Sequence, residues 1–113
     1  MFSVQVPEYI KVSSNGGAAT AHLGRMGIYK LQEEYRNNFP VWKKQGEDEY
    51  LFVASDKVWS IGSDPDSTIG WIFNNKKNPT PVSPLTLTDG WKYHDGEWKA
   101  DNTIRIEAFT GEF

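Results

Sequence analysis

Apolar residues in this chain recur at every second position or in short unbroken runs, and hardly ever at helical spacing. Alternation marks a strand with one covered face, and a short apolar run marks a strand covered on both faces. Thr103–Phe109 alternates, with Ile104 and Ile106 on one face and Arg105 and Glu107 on the other. Tyr50–Val53 is apolar on both parities: Tyr50 and Phe52 point one way, Leu51 and Val53 the other. Val58–Ile61 and Ile69–Phe73 have the same buried-strand character. Ser3–Val6 and Tyr9–Ser13 are predicted as two strands separated by Pro7, which has no N–H to give a ladder. Gly27–Leu31 begins another strand. Phe39–Lys44 alternates, and Pro40 pushes it toward a sheet edge.

Turn signals separate these runs. Ser14–Gly17 is a turn cluster, Ala54–Lys57 a short hairpin linker and Ser63–Thr68 a loop. Asn74–Pro84 reads as a long polar surface loop with Lys76, Lys77 and three prolines. Asp95-Gly96, between Trp91–Tyr93 and Glu97–Lys99, predicts a two-residue hairpin turn because glycine tolerates positive φ. The only helical spacing is Leu31 with Tyr35, so Lys30–Asn37 is read as one or two helical turns, or a loop, ended by Asn37-Asn38. The expectation is an all-β, antiparallel β-sandwich or small barrel of eight to ten short strands, with at most one short helical turn.

Composition narrows the function more than the fold. The 113 residues fit a single domain spanning the chain, and 24% charged with 14% aromatic residues excludes wholesale disorder. A net charge of -3 gives no global basic field for nucleic acid or for acidic membranes. The absence of cysteine removes disulfides, Cys-based zinc sites and thiol catalysis. No apolar stretch approaches the roughly 20 residues a membrane helix needs, so membrane insertion is not expected. Met1–Val12 carries Glu8 and Lys11 and does not resemble a signal peptide. Asn78-Pro79-Thr80 has proline where a glycosylation acceptor forbids it. Thr110–Phe113 reads as an appended tail.

The five tryptophans at 42, 59, 71, 91 and 98 are the main chemical feature. Trp59 and Trp71 lie in apolar strands with Phe52 and Phe73 and are expected in the core. Trp42 stands beside Lys43-Lys44, and Trp91 and Trp98 flank a polar hairpin, so these three are expected at the surface. Exposed rings can stack on the C–H faces of sugars while Asp95 and His94 bond hydroxyls. Each buried aromatic contributes roughly 1.5–3 kcal/mol, so a core role competes with that reading at every ring.

Other chemistry is sparse. Asp64, Asp66 and Thr68 alternate as calcium ligands do, but Ile69 and Asn75 stand where an EF-hand needs Gly and Glu, so an Asx-type turn is the plainer reading. His94 lies beside Asp95, which could orient it as a base. There is no Gly-x-Ser-x-Gly elbow and no phosphate-cradling glycine loop, and no cofactor is implied. A carboxylate pair for glycoside hydrolysis has no support in the linear order. Lys43-Lys44 and Glu47–Glu49 are placed to face each other across a hairpin, and Lys76-Lys77 makes a small basic loop.

Gly27-Ile-Tyr29, Asn38–Trp42, Tyr50-Leu-Phe52, Trp59–Gly62, Gly70-Trp-Ile72, Gly90-Trp91 and Asp95–Trp98 form an order of landmarks. It resembles small Trp-rich β modules of large multidomain proteins in invertebrates, algae and protists. The resemblance spans Gly27 to Ile106 and implies neighbouring domains in a larger parent protein. The matched residues are architectural, and the resemblance carries no activity and no site. The expectation is a non-enzymatic recognition or adhesion module that binds a glycan or a protein partner. The alternatives are a structural repeat unit with all its aromatics internal, and a small hydrolase with a carboxylate pair.

Overall fold

The protein is described from a computed structural model, which covers residues 7–55, 57–67, 70–75 and 84–109. The expected strand Ser3–Val6, Thr68, most of the Asn74–Pro84 loop and the tail 110–113 lie outside the described residues.

Nine strands form one antiparallel sheet: β1 (Tyr9–Ser13), β2 (Gly27–Arg36), β3 (Phe39–Lys44), β4 (Tyr50–Val53), β5 (Trp59–Gly62), β6 (Ile72–Asn74), β7 (Trp91–His94), β8 (Trp98–Ala100) and β9 (Arg105–Ala108). The order is β8-β7-β6-β5-β4-β3-β2-β1-β9. Every neighbour but one is also a neighbour in sequence, so the sheet is a meander whose last strand returns beside the first. It curls into a half-barrel. Helical structure among the described residues is limited to the five-residue α1 (Gly17–Ala21) and two 3-10 turns, Leu23–Arg25 and Pro84–Thr86.

The curl follows from what the two faces carry. The inner face gathers Ile10 and Val12 of β1, Tyr29, Trp42, Leu51, Ile61, Ile72, Trp91 and Tyr93 from β2 to β7, and Ile104 with Ile106 at β9 into one buried cluster. Residues from both ends of the sheet share this core, which pulls the sheet round it. A smaller apolar cluster of Val41, Phe52, Ala54 and Val58 lies on the outer face, with Tyr50 and Phe73 against it. Tyr50–Val53 is therefore covered on both sides, as its double-parity pattern predicts.

Buried tyrosine and tryptophan heads need partners. Trp42 Nε1–H donates to the Pro7 carbonyl at 2.9 Å, and Trp91 Nε1–H donates to the Leu87 carbonyl at 2.9 Å. The Tyr29 hydroxyl donates to the Arg25 carbonyl at 2.7 Å. These bonds tie the flanking loops to the barrel interior.

One carboxylate stitches the remaining opening. Asp101, between β8 and β9, accepts from Ser14 Oγ at 2.7 Å, from the Ala18 N–H at 3.1 Å and from the Thr103 N–H at 2.9 Å, and Thr103 Oγ1 also donates to it. Burial pushes this carboxyl up, but the hydroxyl and amide donors together outweigh burial and hold it below its ordinary value. Asp101 thus caps the N-terminus of α1 from the far end of the chain.

Three local expectations are corrected. Lys30–Asn37 is not helical but the body of the ten-residue β2. Residues four apart also share a face in a strand, which is why β2 mimics a helical interval at Leu31 and Tyr35, between which the β2–β3 register shifts. Asn37 and Asn38 take φ of 54° and 72° and form the hairpin turn between Arg36 and Phe39, a left-handed pair that asparagine tolerates. Pro40 does not sit on an edge strand, since β3 lies between β2 and β4. Its missing N–H is harmless because the β3–β4 pairing covers only Trp42 and Lys43. The loop between β7 and β8 has three residues rather than two, with His94 paired to Trp98 and Gly96 at φ 74°.

Candidate functional site

Side chains on a strand alternate between faces, so partners at one register share a face. Tyr50 of β4 pairs with Gly62 of β5. One step beyond the Ile61–Ile72 pair the β5–β6 register shifts: the Trp71 N–H donates to the Ile61 carbonyl at 2.9 Å and Gly62 faces Gly70, while on the β7 side Trp71 continues the Ile72–Tyr93 register and stands opposite His94. The His94 N–H donates to the Trp71 carbonyl at 2.9 Å, and His94 pairs with Trp98. Trp71, His94 and Trp98 therefore form a row across β6 to β8, and Tyr50 with Gly62 lies on the far side of the register shift.

The rings in this row touch edge to face. Trp71 and His94 have centroids 5.6 Å apart, His94 and Trp98 5.0 Å, and Trp98 and Phe73 4.8 Å. Trp71 is 46% exposed and Trp98 40%, the only half-open tryptophans among the described residues. Beside Trp71 lies a hollow of about 50 Å³ lined by Gly62, Ser63, Asp64, Ser67 and Gly70. It exists because two glycines meet: a Cβ on Gly62 would lie 3.1 Å from the Gly70 Cα, and a Cβ on Gly70 would strike the Ile61 carbonyl.

Arg25 supports the row from the 3-10 turn. Its guanidinium carbon lies 5.8 Å from the centre of the Trp71 ring, its Nε is 3.0 Å from Glu49 Oε2, and its Nη1 is 3.2 Å from His22 Nδ1. The Arg25–Glu49 contact is a close ion pair whose angle is not that of a linear hydrogen bond. Arginine only donates, so His22 Nδ1 accepts and its Nε2 carries the proton given to the His94 carbonyl at 2.6 Å. Burial pushes the Glu49 carboxyl above its ordinary value, while Arg25 pulls it back. Burial, with Glu49 nearby, raises the Tyr29 phenol further still. These groups hold Arg25 and His94 in place and leave Glu49 paired.

The expected site is only partly assembled. Trp98 is exposed and lies beside His94, and the two are in contact. Asp95 is exposed near them, with its Oδ2 3.5 Å from Lys99 Nζ, so it pairs with lysine and not with the imidazole. Trp42 and Trp91 are 1% and 0% exposed, against the expectation of surface rings. Both share the inner parity: Trp91 points with Tyr93 while Lys92 and His94 point out, and their indole N–H groups are satisfied internally. Trp71, expected in the core, is instead on the outer face with Phe73, while Ile72 and the buried Asn74 point in. The polar Asn74 disguised that alternation; its amide donates to the Asp89 carbonyl at 2.8 Å.

Of the weak calcium candidates, Asp64 and Asp66 are held by protein groups. Asp64 Oδ1 accepts the Asp66 N–H at 2.9 Å, an Asx turn, and Asp66 accepts from Arg36 at 2.6 Å. Among the described residues no group of three His, Cys, Asp or Glu stands ready to hold a metal. Lys43 and Lys44 do meet the acidic hairpin, at Asp48 (3.6 Å) and Glu47 (3.3 Å).

Comparison with protein-family models, with curated proteins and with solved structures finds no match for this chain. The functional reading therefore rests on the geometry of the row.

Proposed function

We propose that the protein is a non-enzymatic recognition module that binds a glycan on the outer face of the sheet, at Trp71, His94 and Trp98. The observation that carries this reading is the division of the tryptophans. Trp42, Trp59 and Trp91 are buried, whereas Trp71 and Trp98 stay half-open on either side of one imidazole. Leaving two large rings in water on a small domain has a cost that a purely internal structural role does not explain. Sugar C–H faces would stack on the two indoles. The His94 ring, Asp95 and the polar rim of the hollow at Ser63 and Ser67 would bond hydroxyls.

A soluble array of neutral and acidic glycans, followed by tryptophan-fluorescence titration of each hit, tests the reading. Trp71→Ala and Trp98→Ala are each expected to weaken a hit at least about tenfold, the effect of truncating a central aromatic anchor. Silence across the array, or hits indifferent to both substitutions, overturns it and moves the site to a protein partner.

A further inference from the structure

His22 is the buried imidazole behind the row, and both of its ring nitrogens are engaged. It ends α1 and opens the 3-10 turn Leu23–Arg25, so the backbone fixes its place from both sides. Its Nε2–H donates to the His94 carbonyl at 2.6 Å, and its Nδ1 accepts from Arg25 Nη1 at 3.2 Å. The ring meets Tyr93 of β7 edge to face, with centroids 6.2 Å apart. Only the neutral Nε2–H tautomer serves both partners.

A second proton has one place to go, Nδ1. There it turns an acceptor for arginine into a donor and sets an imidazolium against a guanidinium. The bond from Nε2–H to the His94 carbonyl survives, and the charge strengthens it. The proton therefore keeps His22 in its seat and displaces Arg25. Arg25 has two other holds: its Nε lies 3.0 Å from Glu49 Oε2, and its guanidinium carbon 5.8 Å from the centre of the Trp71 ring. Protonated His22 competes for the same carboxylate. The other titratable groups round this turn are directed elsewhere. The Tyr29 hydroxyl of β2 donates to the Arg25 carbonyl, Lys44 Nζ of β3 donates to the Gly24 carbonyl and to Glu47, and the His94 ring contacts Trp71 and Trp98.

We infer that His22 is a pH latch on the row. Neutral, it holds Arg25 over Trp71; protonated, it releases Arg25, and Trp71 loses the cation that steadies its ring. A half-open indole without that support must be ordered by the sugar itself, so mild acid weakens capture. The regulation rests on the glycan reading above, whereas the latch is measured without a glycan.

Nitrogen–proton NMR over a pH series reports each imidazole, the Arg25 Nε–H and the Trp71 indole N–H separately. His22 is expected as the Nε2–H tautomer at neutral pH, and the Arg25 and Trp71 signals are expected to move with the His22 midpoint. His22→Gln, whose amide keeps a donor and an acceptor without titrating, is expected to abolish that movement. Arg25→Gln removes the opposing cation, so His22 is expected to titrate at higher pH than in the wild type, which tests the latch should His22→Gln not fold. A His22 that stays neutral down to about pH 5 overturns the latch. So do Arg25 signals that follow His94 or Glu49, a transition that persists in His22→Gln, or a His22 midpoint unmoved by Arg25→Gln.

The tightest-binding glycan of the array is expected to bind about threefold more weakly below the His22 midpoint than above it, a fall that His22→Gln removes. An undiminished fall in that variant assigns the effect to His94 and overturns the regulation. A silent array with the transition intact discards the glycan and keeps the latch. A Trp71-dependent glycan with no transition at Arg25 keeps the glycan and discards the latch.

Discussion

Replacing Asp101 should do more damage than its place in a surface connection implies. Four donors converge on its two oxygens: Ser14 Oγ, the Ala18 N–H, the Thr103 N–H and Thr103 Oγ1. In Asp101→Ala the hydroxyls turn to water, but the buried Ala18 N–H loses its acceptor. An unsatisfied buried donor costs about 1–3 kcal/mol, and the lost charge-assisted bonds bring the total to about 3 kcal/mol. For a domain of this size that lowers the melting temperature by roughly 12 °C.

Asp101→Asn keeps the shape but turns an NH2 toward one pair of donors, for a loss of about 2 kcal/mol. The sign with pH follows from the depressed folded-state pKa. Such a carboxylate contributes stability that is present above its unfolded value and lost as pH falls through the folded one. The gap between wild type and Asp101→Asn should therefore be widest near neutrality and close below the ordinary carboxylate value of 3.8. Thermal unfolding followed by circular dichroism across that range measures both effects. An Asp101→Ala protein melting within about 2 °C of wild type at neutral pH would refute the capping argument. So would a wild type–Asn gap that persists in strong acid.

Trp42→Ala should cost about 3–5 kcal/mol, whereas Trp98→Ala, already 40% open, should cost about 1 kcal/mol; urea melts of the two variants compare them directly. Lys30→Glu should raise stability by about 0.2–1 kcal/mol by ending the Lys30–Lys43 opposition, and an unchanged or lower urea midpoint contradicts that. Gly70→Ala should destabilise by about 2 kcal/mol or more because its Cβ meets the Ile61 carbonyl, and a native-like melt would show that the β5–β6 approach is loose. Glu49 titrates the opposite way from Asp101. Its raised folded-state pKa means stability is lost as pH climbs from its unfolded value through the folded one, and Glu49→Gln should flatten that slope in pH-dependent melts.

The sheet was legible in the chain wherever alternation was clean. Ile104 and Ile106 against Arg105 and Glu107, and the double-parity run Tyr50–Val53, name their faces correctly. The same rule applied at Trp91, where Lys92 and His94 take the opposite parity from Trp91 and Tyr93, but polar neighbours hid it. Trp71 was misplaced because a buried Asn74 sits on the inner parity, where its amide donates to the Asp89 carbonyl. Leu31 and Tyr35 imitated a helix because a spacing of four residues also falls on one face of a strand. The cross-strand row itself has no linear signature. It draws Trp71, His94 and Trp98 from three neighbouring strands or strand ends, and only the pairing register aligns them. Arg25 likewise looks ordinary in sequence, and its contacts to His22, Glu49 and Trp71 exist only once the 3-10 turn is placed.

The five indole N–H signals of the protein give one direct reading of the central claim, because each tryptophan contributes a separate nitrogen–proton resonance. In a titration with the tightest-binding glycan of the array, the row predicts progressive shifts for Trp71 and Trp98 and still signals for Trp42, Trp59 and Trp91. Five unmoved indoles, or movement confined to the three buried ones, would contradict it.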